Sequence, residues 1–162
     1  MARKPAVSLS RRKGGPVKPQ LAAFGFAKDV LPQLEIAMGW LENSGNDAPT
    51  IAAINYFGAP SKNIPPRDAI TPTIDAVAGA VRETTIAVAR RVNEQKQVDA
   101  LLDGLALVIE AELKHQIAEL SSPPNAPRTI AQKGFDDPLI GAGSDLGRIY
   151  AGASATVRKK SP

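Results

Sequence analysis

Two apolar stripes with helical spacing constrain this chain more than any other feature. Ile74, Val77, Val81, Val88 and Val92 recur on one face from about residue 73 to 93. Val98, Leu101, Leu102, Leu105, Ile109, Leu113 and Leu120 do the same from about 97 to 120. The polar patch 93-NEQKQ-97 separates them, which leaves either one bent helix or two helices meeting at a short corner. A helix with one apolar stripe must bury it, so the rest of the chain has to supply a partner surface. Hydrophobic residues are 43% of the total and aromatics 4%, so that surface must be built mainly from Ala, Val, Ile and Leu.

The flanking segments suggest where it comes from. Asp29 reads as the cap of a helix with Pro32 in its first turn, and Ala27, Leu31, Leu34, Met38 and Leu41 recur on one face until Asn43, Gly45 and Asn46. This predicts a helix over about 29 to 43. The segment 50-TIAAINYFGA-59 is rich in β-branched and aromatic residues and bounded by Pro49 and Gly58, which predicts a strand. Pro60, Pro65, Pro66 and Pro72 make 59 to 72 an extended connection. Near the C-terminus, Ile149, Ala151, Ala153, Ala155 and Val157 alternate with mostly polar residues and predict a second strand that pairs with the first. The fold class expected is α+β: a small antiparallel sheet packed by long amphipathic helices on one face, within a single domain over 21 to 158.

Charge is concentrated at the ends. Residues 1 to 20 hold Arg3, Lys4, Arg11, Arg12, Lys13 and Lys18 with no acid, plus three prolines and two glycines, the composition of an extended basic arm. Residues 159 to 162 form a short basic tail, whereas Asp75 to Glu119 carries eight acids against five Lys or Arg. No apolar run has the length of a membrane span, and no apolar signal-peptide core is found near the N-terminus, so no membrane association is expected.

Catalytic and metal-binding patterns are not evident. There is no cysteine, and His115 is the only histidine, set in 112-ELKHQ-116 without a second ligand one turn away. No serine sits in a nucleophile turn, and 141-GAGSDLG-147 misses the dinucleotide-binding glycine spacing by one residue. Glu83, Glu94, Asp99, Asp103, Glu110, Glu112 and Glu119 fall on polar helix faces, where charge serves solvation. No enzyme activity, cofactor or metal is expected. The basic tails alone fit a nucleic-acid-binding module, but the body is not basic and the aromatics Trp40, Tyr56 and Tyr150 are scattered.

The turn chemistry lies in 123-PPNAPRTIAQKGFDDPLIGAG-143, read as a long loop. Its Ile130, Phe135, Leu139 and Ile140 are apolar anchors, either for a docking partner or for the domain's own core. In 64-IPPRDAI-70 two prolines precede Arg67, which reads either as a plain surface arginine or as one that a rigid loop aims at a carboxylate or at backbone carbonyls of a neighbouring subunit.

Two of these segments resemble a known family. Residues 52-AAINYFGAPSKNIPPRDAITPTID-75 are similar to a pattern in which "N-E-F-G" is followed by "I-P-x-R-x-F-L" and a long helix. Pro123, Pro124, Asn125, Pro127, Thr129, Ile130, Lys133, Gly134, Pro138, Leu139, Ile140, Gly143 and Leu146 match "P-P-N-x-P-x-T-I-x-x-K-G-x-x-x-P-L-I-D-T-G-x-L" at the same spacing. The resemblance is to the tail-completion or neck (head-tail joining, minor-tail-protein-Z-like) family of long-tailed bacteriophages, and it spans roughly residues 50 to 147. Tyr56 stands in place of the acid, Ala69 in place of an aromatic, and Gly141-Ala142 in place of "D-T". The resemblance implies a structural virion protein in a homo-oligomeric, hexameric ring that completes the tail. Its implied partners are a head-closure or connector protein, a tail-tube protein and DNA in the channel. The interface expected from the residues themselves comprises Arg67, Tyr56, Ile130, Phe135, Leu139 and Ile140, and the basic arm (Arg3, Lys4, Arg11, Arg12, Lys13), which no motif covers, is expected to lie across adjacent subunits or partner rings against acidic protein surface, with DNA as the rival partner.

Overall fold

A computed structural model describes residues 34–41, 47–91, 94–140 and 147–159. The arm over 1 to 20, the start of the expected first helix, Gly141 to Leu146 and residues 160 to 162 lie outside the described residues. The order is β1 (Leu34–Trp40), α1 (Ala48–Phe57), α2 (Ile70–Arg90), α3 (Gln95–Glu119), α4 (Pro127–Lys133), α5 (Gly147–Gly152) and β2 (Ala153–Lys159). The fold is α+β, as the patterning predicts, with one small antiparallel sheet among the described residues.

The two stripes form separate helices packed on each other as a hairpin. Arg91 N–H donates to the carbonyl of Val88 and closes α2, while Gln97 N–H donates to the carbonyl of Glu94 and opens α3. Val88 and Val98 are buried on the two sides of this corner, and further along the hairpin Val77 packs with Leu105 and Ile109. Asp68, just before α2, accepts from the N–H groups of Ile70 (2.8 Å) and Thr71 (2.9 Å), satisfying two donors that a helix start leaves unpaired. Inside the first turn, Thr73 is fully buried and its hydroxyl donates to the Ala69 carbonyl at 2.6 Å.

The sheet lies against this hairpin. Strands β1 and β2 pair from Leu34 opposite Lys159 to Trp40 opposite Ala153. Alternation then sends Ile36, Met38 and Ala155 to the Val77, Leu105 and Ile109 cluster, and Trp40 and Ala153 to a second cluster of Leu113, Ile117, Leu139 and Ile149. The Trp40 indole N–H donates to the Ile149 carbonyl at 2.7 Å, fastening β1 to α5. On the opposite face Arg158 Nε meets Glu35 at 2.6 Å.

Several expectations are corrected. Residues 34 to 40 form a strand where a helix was predicted: Ile36, Met38 and Trp40 fit a period of two as well as Leu34 and Met38 fit one of four, and β2 supplies the ladder that selects the strand. Residues 50 to 57 belong to a helix, α1, where a strand was predicted. Pro49 fits its first turn, where no N–H partner is needed, and the small, buried Ala48 and Ala52, four apart, let its backbone approach the core. The C-terminal strand begins only at Ala153, because Ile149 and Ala151 lie on α5, and it pairs with 34 to 40 and not with 50 to 59. Finally, the loop from 123 contains a seven-residue helix, α4, with Pro127 in its first turn and Gly134 at φ 84° beyond its end.

Candidate functional site

Arg67 is placed by a tight connection between α1 and α2. Gly58 leaves α1 at φ 75° and ψ 170°, a region essentially restricted to glycine, and a Cβ there would stand 3.0 Å from Ile64 O and Pro66 N. The chain then folds back in a short 3-10 turn over Pro60–Lys62, and Ala59 and Ile64 exchange backbone bonds of 2.8 and 3.1 Å. This brings Arg67 N–H to 2.7 Å from the Asn55 carbonyl.

The guanidinium closes the arrangement. Its Nε donates to Pro123 O (3.1 Å), its Nη2 to Pro124 O (3.0 Å) and its Nη1 to Asn55 Oδ1 (3.2 Å). Asn55 is turned the right way because its own Nδ2 donates to the Ile51 carbonyl one helical turn back, at 2.9 Å. Prolines 123 and 124 have no N–H, so this stretch offers acceptors, and arginine, which has donors only, is its complement. Arg67 is 7% exposed. Burial lowers its pKa and the charge of nearby Asp136 opposes that shift, but an arginine so placed stays protonated at neutral pH.

The loop beyond is fastened at further points. Asn125 N–H donates to Asp136 Oδ1 at 2.8 Å, spanning α4. Gly134 N–H donates to the Ile130 carbonyl at 2.8 Å, and Lys133 Nζ donates to the Asp137 carbonyl while lying 4.8 Å from the Phe135 ring centroid. Burial pulls the Lys133 pKa down; Asp137 and Asp136 oppose this, and Arg67 adds to it.

Between this loop and α1 runs a groove of about 670 Å³. Ile51, Ile54, Ile64 and Pro138 give it apolar walls, and Lys62, Arg67 and Asn125 add polar groups. Asn125 is 9% exposed, and its Nδ2 is buried without a hydrogen-bond partner.

The residues expected at an interface separate into distinct environments. Arg67 meets backbone carbonyls, as expected, but those of its own chain: every guanidinium nitrogen has an acceptor there, so it braces the loop. Leu139 is likewise a core residue, 2% exposed beside Leu113, Ile117 and Ile149. Tyr56, Ile130, Phe135 and Ile140 are half-buried, and His115 is exposed on α3. Arg3, Lys4, Arg11, Arg12 and Lys13 lie outside the described residues. Asn55, Asn125 and Asp136 were not singled out from sequence as site residues. The available signal was a lone amide at the end of α1 and another directly after Pro123-Pro124.

Comparison of the chain with protein-family models, with curated proteins and with solved structures found no match. Among the described residues no helix is long and apolar enough to cross a membrane, and no three His, Asp or Glu side chains gather in a way that could hold a metal ion.

Proposed function

We propose that this chain is a structural virion protein of a long-tailed bacteriophage, one subunit of a neck or proximal-tail ring that completes the tail and joins it to the head. One observation carries the reading: the two segments that resemble the tail-completion family, far apart in sequence, meet residue on residue through Arg67. Asn55 and Arg67 of the first segment and Pro123 and Pro124 of the second are joined by hydrogen bonds into a single knot. A spacing match that arose by accident carries no requirement that its residues be neighbours.

The surface suits assembly. Among the described residues β1 pairs only with β2, so each strand keeps an open edge to which another chain can add. Phe57 is 76% exposed with Tyr56 packed against it edge to face at 4.9 Å, an aromatic pair of the kind enriched at protein interfaces. On α2, Ile74, Val81 and Ile86 are exposed.

In this reading the protein is made in the host cytoplasm, incorporated into the virion, and has no catalytic step. The test is the copy number per purified particle, by native mass spectrometry or by averaging of neck images. Six copies, or another number matching a ring symmetry, is the expected result. One or two copies per particle, or its absence from particles, overturns the proposal. A nucleic-acid-binding protein would instead stay with DNA and be missing from emptied, purified necks.

A further inference from the structure

We infer that the apolar trough between the free edge of β1 and α2 is the seat of this chain's own residues 21–26, which add to β1 as a third strand and lay Phe24 and Phe26 on α2. This seat belongs to the subunit itself, whatever the subunit assembles into.

The trough holds about 680 Å³ and is bordered by Ile36 and Met38 of β1, Ile74, Val77 and Val81 of α2 and Leu105 of α3. Ile74 is 52% exposed and Val81 39%, on either side of Val77 along one face of α2. Strand β2 sits over α3, where Ala155 N–H donates to Glu110, and none of its residues borders the trough. The trough therefore lies on the edge of β1 that β2 leaves free, and among the described residues β1 pairs only with β2. A two-stranded sheet is marginal by itself, and an unpaired edge beside an apolar helix face offers backbone groups and apolar surface to the same visitor.

The stretch of chain that enters β1 supplies the visitor. Residues 1 to 20 carry six basic side chains and do not suit an apolar trough, whereas 21-LAAFGF-26 is uncharged and holds two of the four phenylalanines. Residues 27 to 33, with Asp29 and Pro32, form a seven-residue connection to Leu34, long enough to turn the chain back along β1. In the antiparallel register that this connection sets, Phe26 stands opposite Leu34, Phe24 opposite Ile36 and Ala22 opposite Met38. Directly opposite residues share a face of a sheet, so Ala22, Phe24 and Phe26 point to the trough with Ile36 and Met38, and Phe24 meets Ile36 as an aromatic and β-branched pair. A one-residue slip would send Leu21, Ala23 and Gly25 there instead and leave both rings in water. A segment tethered this close to its seat has an effective concentration on the order of mM, which favours it over a separate chain. The basic arm then leaves from the Met38 end of β1, beside a second recess bordered by Trp40, Phe57 and Ile70, and the free edge of β2 remains for a neighbour.

Nuclear Overhauser spectra of the full chain test this, recorded on a uniformly labelled sample and on an equimolar mixture of two copies, one labelled in its phenylalanine rings and the other in its Ile and Val methyl groups. Contacts from the Phe24 and Phe26 rings to the methyl groups of Ile74 and Val81 are expected in the first sample and not in the mixture. Phe24→Ser with Phe26→Ser should speed amide exchange in β1 at least about tenfold, and Leu21→Ser with Ala23→Ser, on the opposite face, less than about threefold. Absence of ring contacts to α2, or contacts from Leu21 in their place, overturns the inference. Contacts that appear in the mixture also overturn it and give the trough to the segment of a neighbouring copy. Where the double serine variant fails to fold, the spectra of the unaltered chain still decide.

Discussion

In the helical hairpin, burial is shared among many side chains, with Val77, Leu105 and Ile109 in one cluster and Leu113 and Ile117 in another. In the loop from 123 to 140, the contact with the rest of the fold passes through Leu139 and a set of hydrogen bonds that converge on Arg67. The first arrangement is non-directional: an apolar residue of similar volume can replace another at modest cost. The second is directional, and no other side chain presents the same fork of donors to two adjacent carbonyls. Substitutions should therefore act on the whole molecule in the hairpin and on one region in the loop.

The largest effect is expected at Leu113, which is fully buried where α3 meets Leu139 and Ile149. Leu113→Ala should cost about 2–5 kcal/mol in denaturant unfolding, lowering the protection of every region together. If only the loop loosens, the division drawn between the two regions is wrong.

Arg67→Ala should cost somewhat less, about 2–3 kcal/mol, by leaving the Pro123 and Pro124 carbonyls and Asn55 Oδ1 without their donor. Hydrogen exchange should accelerate over 123 to 140 and change little in α3. Arg67→Lys keeps the charge and recovers only part of the loss, since an ammonium cannot span the three acceptors in the same fork. A lysine variant as stable as the parent would show that the charge, and not the geometry, holds the loop.

Gly58→Ala tests the hinge that delivers Arg67. The φ of 75° with ψ of 170° and the 3.0 Å approach to Ile64 O predict a loss of about 1–3 kcal/mol. Its exchange pattern should resemble that of Arg67→Ala, because both displace the same guanidinium.

The smallest effect is electrostatic and belongs to the sheet side of the hairpin. Glu110 accepts from Lys114 at 2.7 Å, is partly buried, and also accepts from the N–H of Ala155 on β2 at 3.3 Å. The Lys114 bond leads in holding its pKa below the usual glutamate value, against the opposing effect of burial. A folded-state carboxyl pKa below the unfolded one adds stability that is fully present above the unfolded value, near 4.3, and is lost as pH falls through the folded value. Glu110→Gln should flatten that part of the acid limb of stability against pH, and an unchanged limb would remove Glu110 from the account.

The parts of the fold legible in the sequence are those whose signal is local. The stripes through Val77 and Val88 and through Leu105, Ile109 and Leu113 specify α2 and α3 because a helix repeats every 3.6 residues whatever it packs against. The alternation through Ala153, Ala155 and Val157 marks β2 for the same reason, although its start at Ile149 and Ala151 falls on α5, and the Pro127 and Gly134 pair held a readable signal for α4 inside what reads as plain loop. Residues 34 to 40 and 50 to 57 carried patterns compatible with either period, and there the partner decided. Pairing with β2 made the first a strand, and the room left by Ala48 and Ala52 let the second pack as a helix.

The site divides along the same line. Two prolines before Arg67 and two before Asn125 mark rigid segments in the sequence alone, and they identify an arginine presented for bonding. Which carbonyls it meets was a matter of tertiary structure, since the acceptors lie 56 and 57 residues away and sequence periodicity carries no information across that distance. The amino-acid sequence thus determined the elements with a strong repeat of their own. Tertiary structure decided the ambiguous ones and the destination of every long-range donor, because a hydrogen bond is specified by where two groups meet and not by the spacing of either along the chain.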